Sequence, residues 1–210
     1  MKYSNARILV FAKAPLAGYA KTRLVPALGE TAAARLQQAL ITRTLEIAVA
    51  ANLCPVELWC APDIKHEFFS HCQATYNITL HQQQGHNLGQ RMTHALADAL
   101  MRSRHVILIG TDNADLDGAY LRKGIEALSG SADVVIGPAR DGGYVLIGLN
   151  KILPALFSNI SWSSSQVLTE TRQQLAQLAA SWHELETCRD IDRPEDLRYL
   201  PAPLNSVFTI

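Results

Sequence analysis

The chain switches repeatedly between short apolar runs and longer segments with helical spacing, and this alternation limits its fold more than any other feature. Four runs have the length of strands and few polar positions, as expected of strands buried on both faces. They are residues 8–12, 56–60, 106–109 and 134–136. Apolar residues at helical spacing between these runs predict helices from about Thr31 and about Leu88. Helical crossovers of this kind place the strands parallel, with helices on both faces of the sheet.

The second half of the chain departs from this parallel pattern. The run at 143–149 follows the run at 134–136 after a connection that is too short for a helical crossover, so it must pair antiparallel or leave the sheet. Further predicted elements are a helix from Ser164 to about Ala179, a short strand from Trp182 to Leu185 and a helix that opens at Pro194. We therefore predict one α/β domain over residues 1–210, with three layers and a mixed, mostly parallel sheet.

Composition excludes several broad classes of protein. The 19 Lys and Arg residues balance 19 Asp and Glu residues, which argues against a nucleic-acid binder that relies on many phosphate contacts. No apolar run approaches the roughly 20 residues that cross a bilayer, and no signal segment is recognisable, so we expect a cytoplasmic protein without a membrane partner. The four cysteines contain no C-x-x-C pair, and free thiols are expected.

A basic segment follows the first predicted strand, and no acidic residue precedes Glu30. Small residues such as Gly18 let the backbone approach a ligand. Lys21 offers a mobile point charge, and the planar guanidinium of Arg23 suits phosphate oxygens. The segment lacks the glycines of a P-loop. It predicts a polyphosphate site, and a solvated basic turn is the alternative.

Aspartates follow another predicted strand and recur near the end of the chain. Asp112 is the nearest to its strand end, where hard oxygen ligands can hold Mg²⁺. Asp117 is instead explained as the N-cap of the next helix, with Asp115 supporting the first turn. Asp190 and Asp192 lie two residues apart, so in an extended segment they point the same way. A turn before a proline would explain this late pair equally well.

A fourth segment places two glycines after an acid. Gly142 and Gly143 follow Asp141 and allow a tight turn or the close passage of a ligand, and Tyr144 could stack on a base or a sugar. Hairpin geometry alone would also explain them. The histidines and serines form no acyl-transfer pattern, and the first βα turn lacks the G-x-G-x-x-G of a dinucleotide-dependent oxidoreductase.

Six motifs together resemble a known family. They are F-A-K-A-P-x-x-G-x-A-K-T-R-L at 11–24, L-G-x-R-M at 88–92, G-T-D-x-x-D-L at 110–116, G-P-A-x-D-G-G-Y-x-L-I-G-L at 137–149, W-S at 162–163 and D-I-D-x-P-E-D-L at 190–197. In this combination the chain resembles the rSAM/selenodomain-associated transferase 1 family, which is similar in fold (GT-A) to the nucleotide-diphospho-sugar transferases. The motifs span nearly the whole chain.

The resemblance implies a site and its ligands. Asp112 and Asp192 would share Mg²⁺ or Mn²⁺, while Lys13, Lys21 and Arg23 would hold nucleotide phosphates. The predicted set comprises Lys21, Asp112 and Asp141 as catalytic residues, Lys13, Gly18, Lys21, Arg23 and Arg91 for the nucleotide, and Gly142, Gly143, Tyr144 and Trp162 for the acceptor. One departure is Ala114, which stands where the family usually has proline. We therefore expect a looser turn around Asp112.

Two reactions fit these residues. The leading hypothesis is glycosyl transfer from a nucleotide sugar to a small-molecule acceptor, in which the metal and the basic residues neutralise the leaving diphosphate. The alternative is nucleotidyl transfer, in which a phosphorylated acceptor attacks a nucleoside triphosphate and releases pyrophosphate. Asp141 is the best candidate to orient the acceptor. A nucleotide-binding module without turnover is a weaker alternative.

Overall fold

The computed structural model describes residues 1–208, which form a mixed sheet with helices on both faces. The strands are β1 (Ala6–Lys13), β2 (Val56–Ala61), β3 (Thr79–Gln82), β4 (His105–Ile109), β5 (Val134–Pro138), β6 (Tyr144–Leu149) and β7 (Trp182–Glu184). The α-helices are α1 (Val25–Leu28), α2 (Glu30–Ala50), α3 (Glu67–Tyr76), α4 (Leu88–Leu100), α5 (Gly118–Ser129), α6 (Val167–Gln177) and α7 (Leu204–Val207). Short 3-10 helices cover Thr22–Leu24, Pro154–Phe157 and Pro194–Tyr199. The last two residues of the predicted domain lie outside the described part.

The sheet follows the order β3-β2-β1-β4-β6-β5-β7. The first four strands pair parallel, so their carboxyl ends meet at one edge of the sheet. Alternate residues of β1 enter two separate cores: Ile8 and Val10 pack with α2, α3 and α5, whereas Leu9 and Phe11 pack with α4. Because β1 is buried on both faces, the predicted three-layer α/β class is confirmed.

The strand β6 runs antiparallel between β4 and β5. The short connection from β5 allows no crossover helix, as the sequence predicts. Because of this reversal, β6 begins at the edge where β4 and β5 end. The loop at residues 139–143 therefore lies at the same edge of the sheet as the loops after the parallel strands.

Several elements have no counterpart in the sequence prediction, among them β3, α3 and the four-residue helices α1 and α7. The strand β3 is four residues long and only partly buried, so it has no apolar run to reveal it. The helix α3 contains adjacent Phe68 and Phe69 and only a weak apolar stripe. The helix predicted from Ser164 begins later, at Val167, because residues 164–166 form a bend and a turn that follow Ser163, whose φ is 68°. The opening predicted at Pro194 is a 3-10 helix.

All four cysteines are buried free thiols, as predicted. Burial raises the pKa of Cys72 to about 11 and that of Cys54 to about 12, so both are protonated at neutral pH. Within residues 1–208, no helix combines the length and the apolar character needed to span a membrane.

Candidate active site

The basic segment after β1 is held against the late segment of the chain. Lys21 adopts a left-handed backbone conformation with φ of 51°, and its side chain is only 2% exposed. Its Nζ atom lies 2.9 Å from Oδ1 of Asp112 and also donates to the backbone carbonyl of Ile191. The prediction that Lys21 is a mobile charge is wrong, because the ammonium is buried and fixed by these two partners.

Arg23 lies two residues further, in the 3-10 helix, and differs from Lys21 in its exposure. Its guanidinium pairs with Oδ2 of Asp192, and the two side chains are 50% and 31% exposed. Lys13 ends β1 and is exposed, and within residues 1–208 it forms no ion pair. Gly18 is exposed and has φ of 73°, a conformation that favours glycine. The loop therefore presents exposed Lys13 and Arg23 and one buried cation.

The turn after β4 aims Asp112. The Thr111 hydroxyl donates to Oδ1 of Asp112 at 3.1 Å, and Gln37 and Thr44 of α2 hold Thr111 by its hydroxyl and its carbonyl. The guanidinium of Arg43, also on α2, donates to the three carbonyls of Asn113, Ala114 and Leu116. The Asp112 carboxylate therefore stands on a turn that a long helix supports.

Ala114 does not loosen this turn. Its backbone N–H donates to the carbonyl of Arg189 at 2.8 Å, a hydrogen bond that proline could not make. The expectation of a looser turn is therefore not met. The predicted cap is confirmed, since the Asp117 carboxylate accepts from the Tyr120 N–H at 2.7 Å. Asp115 instead accepts from the backbone N–H of Arg189.

The late segment runs antiparallel to this turn. Asn113 forms a β-bridge with Asp190, and the Ile191 N–H donates to the carbonyl of Asp112 at 2.9 Å. Ile191 is fully buried between two partly exposed aspartates, so Asp190 and Asp192 lie away from the core that holds Ile191. The backbone of the late segment therefore lies beside the turn that carries Asp112.

Asp190 lies among the other acids, and the predicted set of site residues omits it. Burial, together with the negative charges of Asp141, Asp192 and Asp112, raises the pKa of Asp190 to about 6. Its spacing from Asp192 in the D-I-D motif is the signal that could have identified it. The site therefore contains four neighbouring carboxylates, of which two carry an ion pair to the basic loop.

The loop between β5 and β6 brings Asp141 to this group. Its Oδ1 accepts from the Gly143 N–H at 2.8 Å, which fixes the turn. Gly142 has φ of 91°, and a Cβ at this position would overlap the carbonyl oxygen of Ser165. The absence of a side chain at Gly142 therefore lets this turn pack against the backbone of Ser165, rather than against a ligand.

The remaining predicted residues lie apart from the carboxylates. Arg91 Nε donates to the carbonyl of Gly85 at 3.0 Å. Trp162 is half-buried and stacks on Phe157 with ring centroids 6.5 Å apart. Burial raises the pKa of Tyr144, whose hydroxyl is covered and has no hydrogen-bond partner among residues 1–208, so only its half-buried ring could meet a ligand. No hydrogen bond or ion pair within residues 1–208 joins these three side chains to the four aspartates.

The donor set suits a hard divalent cation. Oδ2 of Asp112 and Oδ1 of Asp192 accept no hydrogen bond from residues 1–208, so each carboxylate retains a free oxygen. Within the same residues, no three His, Cys, Asp or Glu side chains lie close enough together to hold a metal by themselves. Mg²⁺ and Mn²⁺ are commonly held by one or two carboxylates together with water and substrate phosphates, so two aspartates would fit such an ion.

Comparison with known proteins identifies the fold class and the family of the chain. A protein from Desulfovibrio desulfuricans G20, named "putative nucleotide-diphospho-sugar transferase", is 30% identical to the chain and has a TM-score of 0.83; the alignment covers 91% of this chain and 84% of that one. The chain has the nucleotide-diphospho-sugar transferase fold. It belongs to the DUF2064 family, described as "Uncharacterized protein conserved in bacteria", which matches residues 44–164.

More distant structures share the fold. 4-Diphosphocytidyl-2C-methyl-D-erythritol synthase from Anaerococcus prevotii DSM 20548 is 12% identical, with a TM-score of 0.63 and coverage of 98% of both chains. Glucosyl-3-phosphoglycerate synthase from Mycobacterium tuberculosis, in complex with Mn²⁺, UDP and its product, is 9% identical, with a TM-score of 0.53 and coverage of 92% of this chain and 74% of that one. Curated protein sequences gave no match.

Proposed function

We propose that this protein is a divalent-metal-dependent transferase that moves a glycosyl group from a nucleotide sugar to a small-molecule acceptor. The observation that carries the proposal is the pairing of Lys21 with Asp112 and of Arg23 with Asp192 at the carboxyl edge of the sheet. Asp190 lies near enough to both acids for their charges to raise its pKa. The family relation supports a nucleotide-using transferase. The narrower resemblance to the rSAM/selenodomain-associated transferase 1 family favours glycosyl transfer over other reactions.

The metal would be held by the free carboxylate oxygens of Asp112 and Asp192, with Asp190 beside them. When bound, such an ion supplies positive charge to the departing diphosphate. Asp112 is positioned for this task by Thr111 and Lys21, which both hold its Oδ1 and leave Oδ2 available.

The nucleotide would lie over the basic loop. Lys13 and Arg23 are exposed cations that can neutralise phosphate oxygens, and Arg91 retains terminal nitrogens that are not engaged by Gly85. The carboxylate of Glu30 lies beside Gly18, 3.4 Å from where a Cβ would stand, so the phosphates would contact Lys13 and Arg23 rather than the Gly18 backbone. With few side chains in the site able to act as a nucleophile, the protein would act by positioning the substrates and by stabilising the charge that develops on the leaving group.

The acceptor would approach from the loop between β5 and β6. Asp141 is exposed, and its Oδ2 is left free by the turn, so it can orient an acceptor hydroxyl. Gly142 keeps this turn tight against Ser165, and the N–H of Gly143 donates to Asp141. The ring faces of Tyr144 and Trp162 are the proposed apolar contacts for the acceptor.

Nucleotidyl transfer is the second candidate. The segment between β1 and Glu30 contains no acid, which favours a ligand as negative as a triphosphate. Purified protein with Mg²⁺ or Mn²⁺ should therefore be offered a panel of nucleotides. Sugar-dependent release of a nucleoside diphosphate would support glycosyl transfer, and pyrophosphate release from a triphosphate would replace it with nucleotidyl transfer. Binding without either product would favour a non-catalytic module.

Calorimetry tests the metal assignment separately. Asp112→Ala and Asp192→Ala should each remove the metal-dependent part of nucleotide affinity, because each deletes one of the two proposed carboxylate ligands. Unchanged metal-dependent affinity in both variants would refute the shared site. Asp63→Ala is a suitable control, because Asp63 lies in the loop after β2 and forms no ion pair within residues 1–208.

A further inference from the structure

We infer that the two cations of the basic loop have different tasks, an assignment that rests on the proposed function. Lys21 is a positioning residue that stays on Asp112, whereas Arg23 is an exchangeable partner of Asp192. In this scheme Arg23 holds the Asp192 carboxylate in the ligand-free protein and passes to the nucleotide phosphates when a divalent cation takes that carboxylate.

The first argument is the difference in burial. The Lys21 side chain is 2% exposed, and its ammonium has both a carboxylate and a backbone carbonyl as partners. Moving it to a phosphate would leave both the Ile191 carbonyl and the Asp112 carboxylate without this partner. Arg23 is 50% exposed and has one carboxylate partner, so its release costs little, as for other pairs at the surface.

The second argument is that the backbone beneath the Arg23–Asp192 pair is fixed. The residues next to the pair, Leu24 and Ile191, are both fully buried in one apolar cluster that also contains Leu36 of α2. The exchange therefore needs only a rotation of the Arg23 side chain. The loop itself can remain in place while the guanidinium changes partners.

The third argument concerns charge. Lys21 pairs with Asp112 and Arg23 pairs with Asp192, and within residues 1–208 these two aspartates form no other ion pair. A divalent cation that displaces Arg23 from Asp192 puts two positive charges where there was one, and the freed guanidinium becomes available for phosphate oxygens. Metal and phosphate binding would then assist each other, because each removes a competitor of the other.

Two separate binding measurements test the assignment without any turnover. Mn²⁺ alone is titrated by electron paramagnetic resonance of the free ion, and inorganic pyrophosphate is titrated by calorimetry in EDTA. Arg23→Met should bind Mn²⁺ about fivefold more tightly than the wild type, because the competitor for Asp192 is gone. The same variant should bind pyrophosphate at least about fivefold more weakly.

Lys21→Met and Arg193→Met are the matched comparisons. Lys21→Met should keep its pyrophosphate affinity within about twofold, because the buried ammonium does not reach the phosphates. Arg193 is exposed, lies next to Asp192 and forms no ion pair within residues 1–208, so Arg193→Met removes the same charge without removing a competitor. Its Mn²⁺ affinity should change by less than about twofold. Lys21→Gln and Arg23→Gln replace any methionine variant that fails to fold.

The outcomes separate this inference from the proposed function. Absence of Mn²⁺ and pyrophosphate binding by the wild type would overturn the proposed function and the inference together. Binding of both ligands by the wild type, with unchanged or weaker Mn²⁺ binding by Arg23→Met, would overturn the exchange alone. Equal gains in Arg23→Met and Arg193→Met would reduce it to a general charge effect, and a Lys21→Met loss as large as that of Arg23→Met would make Lys21 a phosphate ligand.

Discussion

Carboxylates lie at both ends of the parallel strands. Those at the amino ends have a full set of hydrogen-bond and ion-pair partners, whereas those at the carboxyl ends do not. At the amino ends, Glu57 has a side chain that is 1% exposed and accepts from Arg7 at 2.7 Å, Arg102 at 2.5 Å and the Trp59 indole at 3.1 Å. Burial alone would raise the pKa of Glu57, but its bonds to Arg102, with the charges of His81 and Arg7, hold that pKa below the usual value.

At the carboxyl ends, there are more acidic side chains than cationic partners for them. Asp190 has a raised pKa because burial and three neighbouring acids disfavour its charge. Asp112 and Asp192 each keep an oxygen without a partner among residues 1–208. A carboxylate whose oxygens all have protein partners stabilises the fold. A group of carboxylates with unpaired negative charge can instead bind a cation.

The largest expected effect comes from Asp112→Asn. Under the proposed function, the transfer rate should fall about a thousandfold, because a ligand of the charge-neutralising ion is lost. Its free energy of unfolding should also fall, by about 2 kcal/mol, because the Lys21 ammonium is 2% exposed and would lose its carboxylate partner, while the 40% exposure of Asp112 keeps the loss below that of a fully buried pair. Initial rates and urea denaturation measure the two quantities. A rate above a tenth of the wild type would contradict the assignment.

Glu57→Gln should have its main effect on stability and none on activity. Removing one partner of a buried ion pair leaves charges uncompensated, so the free energy of unfolding should fall by about 3 kcal/mol. Activity per folded molecule should stay unchanged. Asp98→Asn is the control, because Asp98 also pairs with Arg102 but at an exposed site, where the loss should be below about 0.5 kcal/mol. Similar losses in both variants would remove the contrast between the two ends of the strands.

Gly142→Ala tests how the turn holds Asp141. The new methyl group would overlap the Ser165 carbonyl and would also impose a positive φ on alanine, so the expected loss is about 2 kcal/mol. Gly29→Ala separates these causes, because Gly29 has φ of 78° with no atom within 4 Å of the added Cβ. The control should lose about 1 kcal/mol from strain alone. Equal losses in thermal denaturation would show that contact with Ser165 adds nothing.

The smallest effect is a pH dependence of opposite sign at the two ends. The folded pKa of Asp190 lies above its ordinary value of 3.8, so the folded state binds more protons and stability falls as pH rises from about 4 through about 6. Glu57 has a lowered folded pKa, so its contribution is present above its ordinary pKa of 4.5 and is lost as pH falls. Asp190→Asn should gain about 1 kcal/mol above pH 6 after allowance for solvent screening. A loss in melting experiments at pH 7.5 would contradict this prediction.

The sequence was sufficient for features that depend on local pattern. Apolar runs located the central strands, and the short connection after Ile136 required the reversal of the next strand. The N-cap at Asp117 followed from a local rule, because a capping carboxylate accepts from the N–H of a residue two or three positions later, here Tyr120. The partly exposed β3 left no such pattern, because an edge strand of four residues needs no apolar alternation.

The site required information that local pattern does not contain. Lys21 and Ile191 are 170 residues apart in the chain, and no local rule predicts that the ammonium would be buried there. The position of Asp190 depends on the bridge between the late segment and Asn113, which forms only in the folded chain. Ala114 was expected to weaken its turn, but its N–H gains a bond to Arg189 that becomes visible only in three dimensions.

The support of the Asp112 turn by α2 has a mechanical consequence. Gln37, Arg43 and Thr44 all lie on this helix and together hold the turn from Thr111 to Leu116. The same helix begins directly after the basic segment, at Glu30. The helix α2 thus connects the turn that carries Asp112 with the basic segment. A tilt of this helix, even one caused by a substitution on its opposite face, would move both segments together.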